Sequence, residues 1–74
     1  MIRFSLRGEF IELFKLLKVT GLCATGGEAK TAVAAGLVKV NGQTEMRKGC
    51  KLKPGQKVEL GGQEIEIQSM VDGP

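Results

Sequence analysis

The chain has no histidine, no tryptophan and no tyrosine, and each gap closes off some chemistry. Without histidine it lacks the side chain that most often serves as a general base or metal ligand near neutral pH. The two cysteines, Cys23 and Cys50, do not form a CxxC pair. A closed zinc site would therefore be short of ligands, and a secreted domain of this size usually carries two to four disulfides. Reduced thiols acting as small apolar fillers are expected, although the place of Cys23 just before a helix suggests a lowered pKa. Metal, cofactor and small-molecule substrate are all unexpected, and so is catalysis.

Aromatic residues are nearly as scarce. Phe4, Phe10 and Phe14 are the only ones, and all three fall at core-like spacing, which leaves no stacking platform for single-stranded bases. No run approaches the roughly 18 apolar residues that span a bilayer, and "MIRFSLRGEF" breaks into charge before a signal-like core can form. No membrane association and a cytoplasmic address are the resulting expectations. A chain of 74 residues makes one domain, here 1–74, and folding at this size buries only about 60% of the unfolded surface.

What the sequence does have is unevenly distributed charge. From Lys15 to Lys57 there are nine bases, with Glu28 and Glu45 the only acids among them. From Val58 onward Glu59, Glu64, Glu66 and Asp72 stand without a base. One basic side and a C-terminal acidic strip follow from this order.

Phe10, Leu13, Phe14 and Leu17 repeat at i, i+3, i+4, i+7, which predicts a first helix ended by Gly21. A second begins near Thr25, carries Ala29, Ala32 and Val33 on one face, and stops at Gly36. At "LVKVNGQ" the period becomes two, and Asn41-Gly42 is a strong hairpin signal because a type I′ turn needs positive φ at both positions. Pro54-Gly55 and Gly61-Gly62 mark further turns around the alternating segments "KVEL" and "EIEIQ", and "MIRFSL" alternates well enough to add a strand. "GQTEMRKGCK" reads as a strand end and loop, and residues 69–74 as a frayed end.

The glycines of "ATGGEAK" invite comparison with a phosphate-binding loop. Gly21 and Gly26 have the right spacing, but Gly27 stands where the lysine belongs and a helix precedes the loop where a strand is required. Thr25 and Glu28 instead form a capping box, with the Glu28 carboxylate expected to return to the Thr25 backbone. The glycines themselves disfavour helix. They either serve the cap alone or also leave backbone N–H groups open to a phosphate at the positive end of the helix.

"RKGCKLK" places Arg47, Lys48, Lys51 and Lys53 in seven residues, which reads as four bases with no local acid to pair with. Such a cluster is ordinarily a solvated face. Joined with Lys15, Lys18 and Lys30 it makes a continuous patch suited to phosphates and helix shape in nucleic acid.

"KLLKVTGL", "EAK", "GLVKVNG" and "LKPGQKVEL", in this order and spacing, resemble the RNA-binding domain named after ribosomal small-subunit protein S-four, and closely its small stand-alone YbcJ-like members. The resemblance covers about residues 12–60. It implies an α+β fold, a two-helix plus β-hairpin αL motif on a small, mostly antiparallel sheet, that presents a basic surface to structured, often ribosomal, RNA. Its contacts would fall on Thr25, Gly26, Gly27, Lys30, Lys39 and the basic loop. Many members carry arginine where this chain has Gly26 and Glu12, so Lys30 and "RKGCKLK" would carry more of the binding. The expectation is a non-enzymatic, monomeric RNA-binding domain. Its rivals are a module docking on an acidic or ribosomal protein and an accessory subunit of an RNA-modifying enzyme.

Overall fold

A computed structural model describes residues 1–70. The order of elements is β1 (Ile2–Leu6), β2 (Ile11–Glu12), α1 (Leu13–Val19), α2 (Gly26–Ala34), β3 (Val38–Val40), β4 (Gln43–Thr44), β5 (Lys51–Leu52), β6 (Lys57–Leu60) and β7 (Gln63–Ser69). Five strands form one sheet in the order β1-β7-β6-β3-β4, while β2 and β5 make a separate two-stranded ladder. Only the β1–β7 pair is parallel. The α+β reading and the mostly antiparallel sheet are thus present as expected.

Hairpins formed where the turn chemistry called for them. Asn41 and Gly42 both have positive φ, 51° and 83°, and Val40 faces Gln43 across the turn. Gly61 and Gly62 do the same between β6 and β7, with φ of 59° and 82° and Leu60 opposite Gln63. The period-two alternation buries Val38, Val58, Ile65 and Ile67 on one face of the sheet, and Leu6 joins them from β1. Leu13, Leu16, Leu17, Ala29 and Val33 of the helices close the core with Leu52 and Cys23.

Several expectations are corrected. The first helix starts at Leu13, and its buried stripe is Leu13, Leu16 and Leu17. Phe10 lies before the helix and is exposed. That stripe satisfies i, i+3, i+4 without Phe10, so spacing alone overextended the helix by a turn. The β2–β5 ladder, Ile11 opposite Leu52 and Glu12 opposite Lys51, was not foreseen, because two-residue strands carry no period. At the C-terminal end Ser69 belongs to β7, and the Met70 N–H donates to the Leu6 carbonyl at 3.1 Å. The frayed reading fails for these two residues, and its remainder, 71–74, lies outside the described residues.

The acidic strip is present only in part, since Glu59 and Glu64 stand opposite each other and Asp72 lies outside the described residues. On the outer face of the sheet Glu59 stands opposite Lys39, and Glu66 lies between Lys57 and Arg3. Strand register thus mixes bases into what the chain order separates.

Candidate nucleic-acid interface

The basic loop is fastened to the start of α1 by its own backbone. Glu12, the N-cap of α1, makes no side-chain capping bond. Two of the orphan N–H groups of the first turn are taken up by the loop: Leu13 donates to the Cys50 carbonyl at 2.9 Å and Phe14 to the Lys48 carbonyl at 3.1 Å. The carbonyls face inward, and the side chains of Lys48 and Lys51 are exposed.

Glu45 organises the same loop. Its carboxylate accepts from the Arg47 backbone N–H and from Arg47 Nε, both at 3.1 Å, and the Cys50 thiol also faces it. Its side chain is only 18% exposed. The hydrogen bonds from Arg47 hold the carboxyl well below its ordinary range, at about 2. The loop is therefore not free of acid. Reading "RKGCKLK" in isolation overlooked a glutamate two residues upstream, and Arg47 offers less unbalanced charge than the lysines.

Lys15 is also paired, with Glu12 at 3.2 Å. No carboxylate lies within ion-pairing distance of Lys18, Lys30, Lys48, Lys51 or Lys53 among the described residues. Phe14 joins the two helices electrostatically. The Lys30 ammonium sits 4.9 Å from its ring centroid and that of Lys15 5.9 Å away, within reach of the negative ring face. Lys51 lies 4.9 Å from the centroid of Phe10. The α1 start, the α2 start and the basic loop thereby form one neighbourhood holding Lys15, Lys30, Arg47, Lys48 and Lys51. Lys18 follows one turn after Lys15 on α1, and Lys53 follows β5.

Lys39 is not brought to this group. It alternates with the buried Val38 and so projects from the outer face of the sheet, opposite Glu59. Period-two geometry sends it away from the core, on whose other side the helices pack.

At the start of α2 the Glu28 N–H donates to Thr25 Oγ1 at 3.1 Å, the expected half of the capping box. The other half differs. The Glu28 carboxylate accepts from the Ala24 N–H, at 3.0 Å, one residue before the cap. The N–H groups of Gly26 and Gly27 have no acceptor among the described residues. Neither glycine has a positive φ, and a Cβ added at either would meet only ordinary contacts, 4.0 Å from Phe14 Cδ2 and 3.7 Å from Thr25 Oγ1. Nothing in the packing requires glycine at these two positions.

Both thiols are free, Cys23 buried and Cys50 half-buried. Burial pushes both up, with Glu28 adding to the effect at Cys23 and Glu45 at Cys50. The lowered pKa expected for Cys23 is overturned, because burial and the nearby carboxylate outweigh the helix end.

The signals that sequence reasoning missed were available. Leu16 completes a helix stripe without Phe10, and Glu45 stands within side-chain reach of Arg47. The Phe14 ring between two lysines had no signal in the sequence, because it depends on how α1 meets α2.

Comparison with known proteins agrees with this architecture. Residues 4–68 match the family described as the S4 domain. YbcJ of Escherichia coli (strain K12) is 43% identical over 68 residues, which cover 90% of this chain and 97% of that protein. The solution structure of YbcJ from E. coli, described as revealing an αL motif involved in RNA binding, superposes with a TM-score of 0.72 at 42% identity, covering 92% of this chain and 87% of that one. The 30S ribosomal protein S4e from Thermoplasma acidophilum has a TM-score of 0.65 at 25% identity, with 78% of this chain covering 31% of the ribosomal protein.

Proposed function

The chain belongs to the S4 domain family, and we propose that it is an RNA-binding protein that engages structured RNA through the face built by the α1 start, the α2 start and the basic loop. The observation that carries this reading is the gathering of Lys30 from α2 with Lys48 and Lys51 from the basic loop, Lys30 beside Phe14 and Lys51 beside Phe10, with no carboxylate within ion-pairing distance of the three. Lys15 and Arg47 add charge tempered by Glu12 and Glu45, and Lys18 and Lys53 extend the face. Thr25 fixes the helix start, where the N–H groups of Gly26 and Gly27 are available to a phosphate oxygen.

The mechanism is neutralisation of phosphates with release of their counterions, aided by recognition of helix shape. No bond is made or broken, so the protein acts as a binder and not as an enzyme. A ribosomal or other folded RNA in the cytoplasm, bound by a monomer, fits this mechanism. No helix of the described residues is long and apolar enough to cross a membrane.

Affinity for a labelled folded RNA, measured by anisotropy across a salt series, tests the reading. If four to six phosphates are engaged, the log–log slope against salt is roughly −3 to −5. A flat response overturns it. Nuclease treatment of the purified protein separates the docking alternative: RNA-held partners leave with the RNA, and a partner bound directly to the protein stays.

A further inference from the structure

Phe10 is the one phenylalanine that the core does not use. Phe4 and Phe14 pack against the buried cluster and Phe10 does not, leaving 42% of it exposed. Val19, Leu37 and Met46 are more exposed still, but they are not aromatic and have no flat ring face for a base. Phe10 alone combines an exposed ring with a cation, the Lys51 ammonium 4.9 Å from its centroid. Lys51 also borders a surface depression of about 510 Å³ whose other lining residues are Arg47, Gly49 and Cys50. That volume lies within the range of small-ligand sites, roughly 300–1,000 Å³.

An aromatic ring beside a cation is the arrangement on which unpaired bases stack, whatever their identity, because every base has a π face. The depression supplies what the attached phosphate requires. It is lined by two cations and no carboxylate, Glu45 fixes the orientation of the Arg47 guanidinium by accepting from its Nε, and the Glu12 carboxylate lies near Gly49 at its border. Cys50 brings no competing charge, since its thiol is held protonated by burial.

We propose that Phe10 stacks an unpaired base of the bound RNA and that Arg47 and Lys51 take the adjoining phosphate in the depression beside it. The inference rests on the RNA-binding reading and sharpens its ligand class, from folded RNA in general to RNA that presents a bulged or looped-out nucleotide.

Two fluorescein-labelled probes test this, a blunt RNA duplex and the same duplex interrupted by a uridine bulge. Each is titrated with the full chain and with Phe10→Leu and Phe10→Trp, whose folding is checked by circular dichroism. The wild type is expected to favour the bulged probe. Phe10→Leu is expected to bind it about 5- to 150-fold more weakly, the loss of one stacked base, while its affinity for the blunt duplex falls far less, by no more than the seating of Lys51 contributes. Phe10→Trp restores the preference. The chain has no other tryptophan, so quenching of its indole by the bulged probe and not by the blunt one reports the stack directly.

Unchanged affinity of Phe10→Leu for both probes overturns the stacking while leaving RNA binding in place. An equal loss on both also overturns it, since Phe10 would then only be seating Lys51. Failure of the wild type to bind either probe overturns both readings.

Discussion

Lys30 and Lys39 carry the same charge on opposite sides of the core, and their surroundings differ in kind. On the outer face of the sheet, register sets Lys39 against Glu59 and Lys57 against Glu66. Opposite charges directly across a ladder attract each other, here without closing to ion-pairing distance, and Glu59 also faces Glu64. On the helix-and-loop face Lys30 and Lys51 lean on aromatic rings, which attract a cation without cancelling its charge, although Lys51 also stands opposite Glu12 in the β2–β5 ladder. The lesson is that a basic residue is informative about a ligand only once its partner is known. A ring keeps the charge available, whereas a carboxylate consumes part of it.

The largest effect expected from breaking this contrast comes from charge reversal. Lys30→Glu combined with Lys48→Glu is expected to lower RNA affinity at least tenfold and to make the salt slope shallower by about 1.4–1.8, two contacts' worth. Lys39→Glu with Lys57→Glu makes the same formal change on the outer face. It is expected to shift affinity less than about threefold, because charges beyond about 10 Å are screened at ordinary ionic strength. Anisotropy titrations of both double variants decide the matter, and equal losses would mean that the two faces are not functionally distinct.

A smaller effect separates stability from binding within the basic face. Gly26→Ala with Gly27→Ala meets no steric obstacle, so melting should move upward, by at most about 1 kcal/mol per site. RNA affinity is expected to fall about two- to fivefold, the scale of a helix-terminus interaction, as side chains crowd the N–H groups. A gain in stability with unchanged binding would leave the glycines without a role in recognition.

The smallest effect concerns the acid inside the basic face. The folded pKa of Glu45, about 2, lies below its ordinary value of 4.5. Its bonds to Arg47 therefore contribute stability in full above the ordinary value, and that contribution disappears as pH falls toward about 2. Glu45→Gln is expected to melt slightly earlier than wild type at neutral pH, a small effect because Arg47 is exposed and solvent screens the pair. The difference should shrink to nothing in acid. Thermal midpoints across a pH series measure it, and a difference that stays as large in acid as at neutral pH would assign the loss to something other than ionisation.

The legible parts of the fold were those decided locally. Asn41-Gly42 and Gly61-Gly62 specify their turns by φ alone, and Val38, Val58, Ile65 and Ile67 declare their face by alternation. The parallel pairing of β1 with β7 joins the two ends of the described chain, and no local feature encodes a partner so distant. The site followed the same rule. Thr25 and Glu28 were readable as a cap, yet which N–H the carboxylate would take depended on the bend before the helix. Phe10 was assigned to the core because spacing cannot say where a helix starts, and that boundary was set by β5 claiming Ile11 and Glu12.

The loop carbonyls that bind the Leu13 and Phe14 N–H groups have a consequence for timing. Ordering a flexible segment at the moment of association costs on the order of 1–2 kcal/mol per residue in backbone freedom alone. Here the segment that bears Lys48 and Lys51 is ordered when α1 forms, so that cost belongs to folding. An incoming RNA meets lysines rooted in a backbone already in place, and only their side chains have still to settle on it.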